Sequence, residues 1–162
     1  MKIELMRYEK DDKEIACELI KNFWKEHNGI EIDAESFLEE WISEGIFYLI
    51  ECDEKKSGFV CLGERGGDIN WLEYLFIIPS LQNKGIGKKV LKLLEEIVSE
   101  YSDSLYLEVA ARNLKALRLY KETGYNSLNT ITLRKDFSEE DFDVISREKI
   151  SGYEFEIRRK KF

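Results

Sequence analysis

Apolar positions along this chain fall into four stripes with helical spacing and a series of short strand-like runs. Between Lys13 and His27, residues Ile15, Ala16, Leu19, Ile20, Phe23 and Trp24 return every three or four positions, which predicts a helix with one buried face. Asn28-Gly29 ends it. Ala34 to Ser43 repeats the spacing with Phe37, Leu38, Trp41 and Ile42, and Asp33 stands where an N-cap is needed. Lys88 to Tyr101 carries Val90, Leu93, Leu94, Ile97, Val98 and Tyr101 on one face. Asn113 to Thr123 predicts a fourth helix, closed by Gly124 in the place of a left-handed terminator.

The strand-like runs interleave with these helices. Residues 3–8 read as a short strand. Ile46 to Cys52 and Ser57 to Gly63 flank the turn-forming Asp53-Glu54-Lys55-Lys56, which predicts a hairpin. After Gly66-Gly67-Asp68, residues Ile69 to Ile78 have a core that is apolar on both faces, as in a central strand, and Pro79 stops them. Leu105 to Ala110, Thr130 to Lys135 and Tyr153 to Arg158 complete the strands, whereas the acidic stretch 137–148 shows no clear period. The order β-α-α-β-β-β-α-β-α-β-β predicts an α+β fold with a mixed sheet. With no repeat, low-complexity run or linker, residues 1–162 are expected to form a single domain.

Composition narrows the functional classes. At 162 residues and 43% hydrophobic, the chain has enough apolar surface for one packed core, and 12% of its residues are aromatic. No window approaches the ~18 uninterrupted apolar residues of a membrane span. Met1-Lys2-Ile3-Glu4-Leu5 lacks an apolar signal core, so a cytoplasmic protein is expected. A net charge of −8 argues against nucleic-acid binding and suits attraction to cationic small molecules. The basic end, Arg158-Arg159-Lys160-Lys161, reads as a solvated terminus.

Cys17, Cys52 and Cys61 are too few and too irregular for a disulfide framework or a zinc site, and no metal is expected. Cys52 and Cys61 lie in strands, where a thiol behaves as a small hydrophobe. His27, the one histidine, has no triad signature around it and reads as a surface residue, so an acyl-cysteine mechanism lacks its base.

The chemistry concentrates in Gln82-Asn83-Lys84-Gly85-Ile86-Gly87, between the apolar run Leu75-Phe76-Ile77-Ile78 and a helix start. Strand, glycine turn and helix N-terminus in that order form an anion site from main-chain N–H groups. A nucleotide P-loop would need glycine where Gln82 stands and a hydroxyl where Lys89 stands. A dinucleotide fingerprint would need a third glycine where Val90 stands.

Gln82 to Gly87 instead match the [Arg/Gln]-x-x-Gly-x-[Gly/Ala] turn, with Leu75-Phe76-Ile77-Ile78-Pro79 as its strand and proline prelude. Downstream, Asn113-Leu114-Lys115-Ala116 and Leu119-Tyr120-Lys121-Glu122-Thr123-Gly124-Tyr125 match a second block, Asn-x-x-Ala…Leu-Tyr-x-x-x-Gly-[Phe/Tyr]. In this pair of blocks the chain resembles the GNAT superfamily of acyl-CoA-dependent N-acyltransferases. The resemblance is close over residues 72–125, and the element order extends it across most of the chain.

That resemblance implies the GNAT fold: a mixed, mostly antiparallel central sheet with a splayed central strand pair and helices on both faces. It also implies acetyl-CoA as acyl donor. Backbone groups of Phe76, Ile77 and Ile78 would pair with the pantetheine amides as an added strand does. Gln82 opens the cofactor-binding turn, and amides of Asn83, Lys84, Gly85, Ile86, Gly87 and Lys88 would cradle the pyrophosphate, with Lys84, Lys88 or Lys89 adding charge. Asn113, Ala116 and Tyr120 share one helix face at i, i+3 and i+7. Asn113 also suits an N-cap, and Tyr120 corresponds to the family's tyrosine that protonates the departing thiolate.

An amine acceptor is largely protonated at neutral pH, so a base is needed, and Glu73 is the candidate. In regular alternation Glu73 shares a face with Trp71, Leu75 and Ile77, and such apolar neighbours would push its pKa up. Some family members acting on small amines, including aminoglycoside N-acetyltransferases, carry a similar Leu-Glu, here Leu72-Glu73. Binding a substrate ammonium and pairing with an arginine are alternative roles for Glu73, and Glu108 or water are rivals as base. The expected reaction is direct acetyl transfer to a small cationic amine such as a polyamine, aminosugar or amino-acid derivative. A protein N-terminus or lysine acceptor, and a non-catalytic acyl-CoA-binding regulatory module, are the alternatives. Homodimerisation through the C-terminal strands is a further hypothesis.

Overall fold

Strand alternation in the first half of the chain is resolved by one sheet. The computed structural model describes residues 1–161. Strands β1 (Ile3–Arg7), β2 (Gly45–Cys52), β3 (Lys55–Gly63) and β4 (Trp71–Ile77) pair antiparallel in that order, and β5 (Tyr106–Leu107) joins β4 in parallel. The chain divides into two compact units, Met1–Glu108 and the residues from Val109 onward.

Within the first unit, helices cover both faces of the sheet. Phe47, Leu49, Phe59, Cys61 and Phe76 cluster with Ala16, Leu19, Ile20 and Phe23 of α1 (Lys13–Asn28) and with Ala34, Leu38 and Trp41 of α2 (Ala34–Glu44). Phe59 is the hub: its ring centroid lies 5.8 Å from Phe23, 5.7 Å from Trp41, 5.2 Å from Phe47 and 5.7 Å from Phe76. Truncating so enclosed a ring costs ~3–5 kcal/mol. Ile50, Val60 and Leu62 alternate with these residues along β2 and β3, face the other way and are fully buried. Helix α3 (Ile86–Val98), which contacts β1, has Val90, Leu91, Leu94 and Val98 equally enclosed.

Local signals act as their chemistry predicts. Asp33 caps α2, its Oδ1 accepting from the N–H groups of Glu35 at 3.2 Å and Ser36 at 3.3 Å. Gly29, at φ +64, ends α1. The β2–β3 turn is tighter than expected: Asp53 and Glu54 alone adopt positive φ (47° and 64°), and Lys55 and Lys56 belong to the strand. Asp53 holds that conformation with its Oδ1 accepting from Lys2 N at 2.7 Å.

The second unit contains α4 (Leu114–Glu122) and an antiparallel pair, β6 (Phe142–Ile150) with β7 (Tyr153–Lys160). β6 occupies most of the stretch without a readable period. Its order comes from the ladder and from cross-strand charge, Arg147 Nη2 donating to Glu156 Oε1 at 2.9 Å, rather than from a buried face. Two expectations are corrected. Thr130–Lys135 forms no strand, because alternation supplies side-chain order without a hydrogen-bonding neighbour, and Ile131 and Leu133 stay exposed. Of Leu105–Ala110, only Tyr106 and Leu107 pair.

Candidate functional site

The glycine turn is built as its residue types require. After the short 3-10 turn Pro79–Leu81, Asn83 adopts φ +61 and Gly85, capping α3, adopts φ +77. A Cβ at Gly85 would meet nothing within 4 Å, so glycine is needed there for its backbone conformation and not for space. Helix α3 starts at Ile86, two residues before the expected Lys88, and Lys89 N donates to Gly85 O at 3.4 Å as its first turn closes. The N–H groups ahead of that bond point out of the helix end, where its dipole favours an anion. Lys84, Lys88 and Lys89 are exposed, whereas the Ile86 side chain is a core anchor and offers the site only its main chain.

Gln82 has a role that its motif position does not reveal. Its Nε2 donates to Ile77 O at 2.8 Å, tying the turn to the end of β4. The β4 edge beside it is open: β5 pairs only with Trp71 and Leu72, while β4 continues to Ile77. Ile78 N donates to Ser57 O at 2.9 Å, and Phe59 opposes Phe76. The alternating antiparallel ladder therefore turns the main-chain groups of Phe76 and Ile78 toward β3 and those of Leu75 and Ile77 toward the open edge. Of the three residues expected to meet pantetheine, only Ile77 faces outward, and Leu75 joins it.

Glu73 departs from the regular pleat. Cys61 opposes Tyr74 and Leu62 opposes Leu72, so Glu73 is the extra residue of a β-bulge. The bulge moves its side chain onto the face of Trp71, Tyr74 and Cys61, away from Leu75 and Ile77 with which alternation would group it. There a Cβ on Gly63 would lie 2.8 Å from Glu73 Cγ, so this glycine makes room for the carboxylate.

The surroundings of Glu73 are ionic rather than apolar. Arg65 grips both its oxygens, Nε donating to Oε1 at 2.8 Å and Nη2 to Oε2 at 2.8 Å, and its Nη1 donates to Glu108 Oε1 at 2.7 Å. The Arg65 Cζ sits 4.1 Å from the centroid of the Trp71 ring, which stacks on Tyr106 at 5.0 Å. The two carboxylates hold the guanidinium proton even more firmly than usual. Nearby Cys61, 3% exposed, has its thiol pushed up to about 12 by burial, with the Glu73 charge adding to it. A thiol so protonated is no nucleophile at neutral pH.

In the second unit, Asn113 Oδ1 accepts from Ala116 N at 3.2 Å, an N-cap as its residue type suggests. Tyr120 is half-buried, and burial pushes its phenol up from the ordinary value. Tyr125 lies edge-on to it at 5.8 Å, and Gly124, at φ +102, turns the chain between them.

Arg65, Gly63 and Trp71 are functional neighbours of Glu73 that sequence reasoning missed as a group. Arg65 is 43 residues from Glu108, and no periodic signal links them. The glycine pair after Arg65 is the only local hint. A separate open depression of about 560 Å³, lined by Lys13, Glu14, Cys17, Glu18, Lys21 and Glu35, contains none of the candidate residues.

Comparison with known proteins bears on the family and the fold. Residues 16–125 match the Acetyltransferase (GNAT) family. Over 57 residues the chain is 39% identical to the spermine/spermidine N(1)-acetyltransferase of Bacillus subtilis (strain 168), covering 34% of this chain and 38% of that protein. Over 84 residues it is 32% identical to the spermidine N(1)-acetyltransferase of Escherichia coli (strain K12), covering 49% of this chain and 44% of that protein. The matches thus span less than half the length of either relative. An aminoglycoside N-acetyltransferase solved with a CoA–acetylneamine bisubstrate analogue superposes with a TM-score of 0.66, at 18% identity, over 84% of this chain and 99% of that one. This last likeness is one of fold.

Proposed function

This chain belongs to the acetyltransferase (GNAT) family, and on that premise we propose that it moves an acetyl group from acetyl-CoA to a primary amine of a small cationic acceptor. The observation that carries the acceptor class is the pair of carboxylates, Glu73 and Glu108, gathered round a cation over an indole face toward the N-terminal end of β4. Such a setting selects ammonium groups. The polyamine and aminoglycoside acetyltransferases among its relatives and structural neighbours support the same class.

In this reading the main-chain groups of Leu75 and the N–H of Ile77 on the open edge receive the pantetheine arm, Ile77 O being held by Gln82 Nε2, and the head of α3, with Asn83 to Lys88, receives the pyrophosphate. Glu73, directly or through water, takes the proton of the acceptor ammonium. The freed amine nitrogen attacks the thioester carbonyl carbon, the C–S bond breaks, and the leaving thiolate takes the proton of Tyr120; the new amide nitrogen sheds its second proton, through solvent, back to the Tyr120 phenolate. Direct transfer needs no acyl-enzyme, in keeping with the buried, protonated Cys61.

A CoA-release screen over polyamines, aminosugars, amino-acid amides and peptides, with acetyl and longer acyl donors, tests the reading. Turnover of small diamines is expected. Tight acetyl-CoA binding with no release on any acceptor would favour a non-catalytic binding module instead. Tyr120→Phe should lower kcat about 100-fold with acceptor KM unchanged. Because burial raises the phenol, its proton is held through neutral pH, and the loss of turnover that comes from Tyr120 ionisation should appear only on the alkaline side.

A further inference from the structure

The chain carries its own cation on the candidate base. The Arg65 guanidinium lies between Glu73 and Glu108 with Trp71 beneath it, and the same two carboxylates and indole face can receive an organic ammonium, which lacks only the guanidinium's fork. The guanidinium is not sealed in: the side chains of Arg65 and Glu108 are 36% and 55% exposed. Entry of another cation exchanges these charge-assisted pairs for new ones and leaves neither carboxylate bare, so displacement costs the difference between two cations and not the loss of a pair.

The backbone allows Arg65 to leave. It sits outside any helix or strand, with β3 ending at Gly63 before it and Gly66, at φ +83, and Gly67 after it. A Cβ at either of these two glycines would meet nothing within 4 Å, so the loop is not packed against the body there. The far end is pinned instead, Asn70 Nδ2 donating to Ser102 Oγ at 2.8 Å and Tyr106 N donating to Asn70 O at 2.9 Å. The loop therefore has a fixed foot and a loose middle, and Arg65 stands in the loose part.

We propose that Arg65 is a built-in occupant of the acceptor's cation position, displaced when the ammonium of the acceptor enters between Glu73 and Glu108. This rests on the amine-acceptor reading above. Arg65 then determines acceptor selectivity by setting a threshold: a plug closed about nine-tenths of the time weakens apparent acceptor binding about tenfold. Amines that bridge both carboxylates overcome it, and weaker cations do not.

The test is calorimetric titration of 1,4-diaminobutane into the whole chain saturated with CoA, which excludes turnover. Arg65→Gln should bind the diamine at least fivefold more tightly than wild type. Arg65→Lys, which retains a cation on the loop, should stay within twofold of wild type, and CoA affinity should be the same in all three. Adding Glu108→Gln to Arg65→Gln should abolish the gain, locating the binding at this carboxylate pair. Unchanged or weaker diamine binding in Arg65→Gln, or Arg65→Lys behaving like Arg65→Gln, overturns the proposal. If no amine is acetylated yet Arg65→Gln binds more tightly, the enzymatic reading fails and the plug stands. If amines are acetylated but Arg65→Gln binds no more tightly, the plug alone fails.

Discussion

The two ends of β4 are built from different materials. At its C-terminal end, the turn from Gln82 to Gly87 offers main-chain N–H groups, a glycine at φ +77 and a helix head, all from consecutive residues. Toward its N-terminal end, Glu73 gathers side chains from β3, the β3–β4 loop and the residue after β5, with Glu108 and Arg65 43 positions apart. The first is a backbone site and depends on local conformation. The second is a side-chain site and depends on tertiary register. This contrast suits the proposed reaction, in which the donor's pyrophosphate is an unvarying ligand and the acceptor is the variable one.

Substitutions should separate the two ends. The largest effect is expected for Glu73→Gln, which removes the proton acceptor: kcat should fall about 100-fold, with acetyl-CoA affinity unchanged. Steady-state kinetics over pH checks it, since a wild-type pH profile in this variant would remove Glu73 as base. Gly63→Ala should follow. Its methyl would press on Glu73 Cγ, 2.8 Å away, and shift a carboxylate already held by Arg65. A displacement of that order should lower kcat/KM for the acceptor about tenfold while leaving KM for acetyl-CoA alone. Equal damage to both substrates would erase the distinction between the ends.

Gly85→Ala should give the smallest change and the opposite partition. Alanine at φ +77 costs about 1 kcal/mol, with no steric conflict to add. The loss should therefore appear as a several-fold rise in the acetyl-CoA dissociation constant, measured by calorimetry, with acceptor KM unaffected. A rise in acceptor KM instead would mean that the turn communicates with Glu73.

Legibility in the sequence follows the same division. The helical stripes of α1 and α2, the Asp33 and Asn113 caps and the glycine turn were readable because each is set by neighbours within a few residues. Thr130–Lys135 misled, since alternation is compatible with a strand but does not provide a partner for one. β6 was hidden for the reverse reason: it has a partner in β7 but little apolar periodicity, its side chains being mostly exposed. Regular alternation also put Glu73 on the wrong face, because a bulge opposite Cys61 and Leu62 has no signature in Leu72-Glu73-Tyr74.

By itself, the sequence determined the element order of the first unit, its buried stripes and the place where an anion meets a helix head. These depend on periodicity, capping and backbone freedom, which are local. Tertiary structure alone decided which way Glu73 points, which main-chain groups of β4 face the open edge, and that Arg65 closes over two carboxylates. Those depend on strand register and on residues brought together across the sheet, and one inserted position in β4 is enough to reverse them.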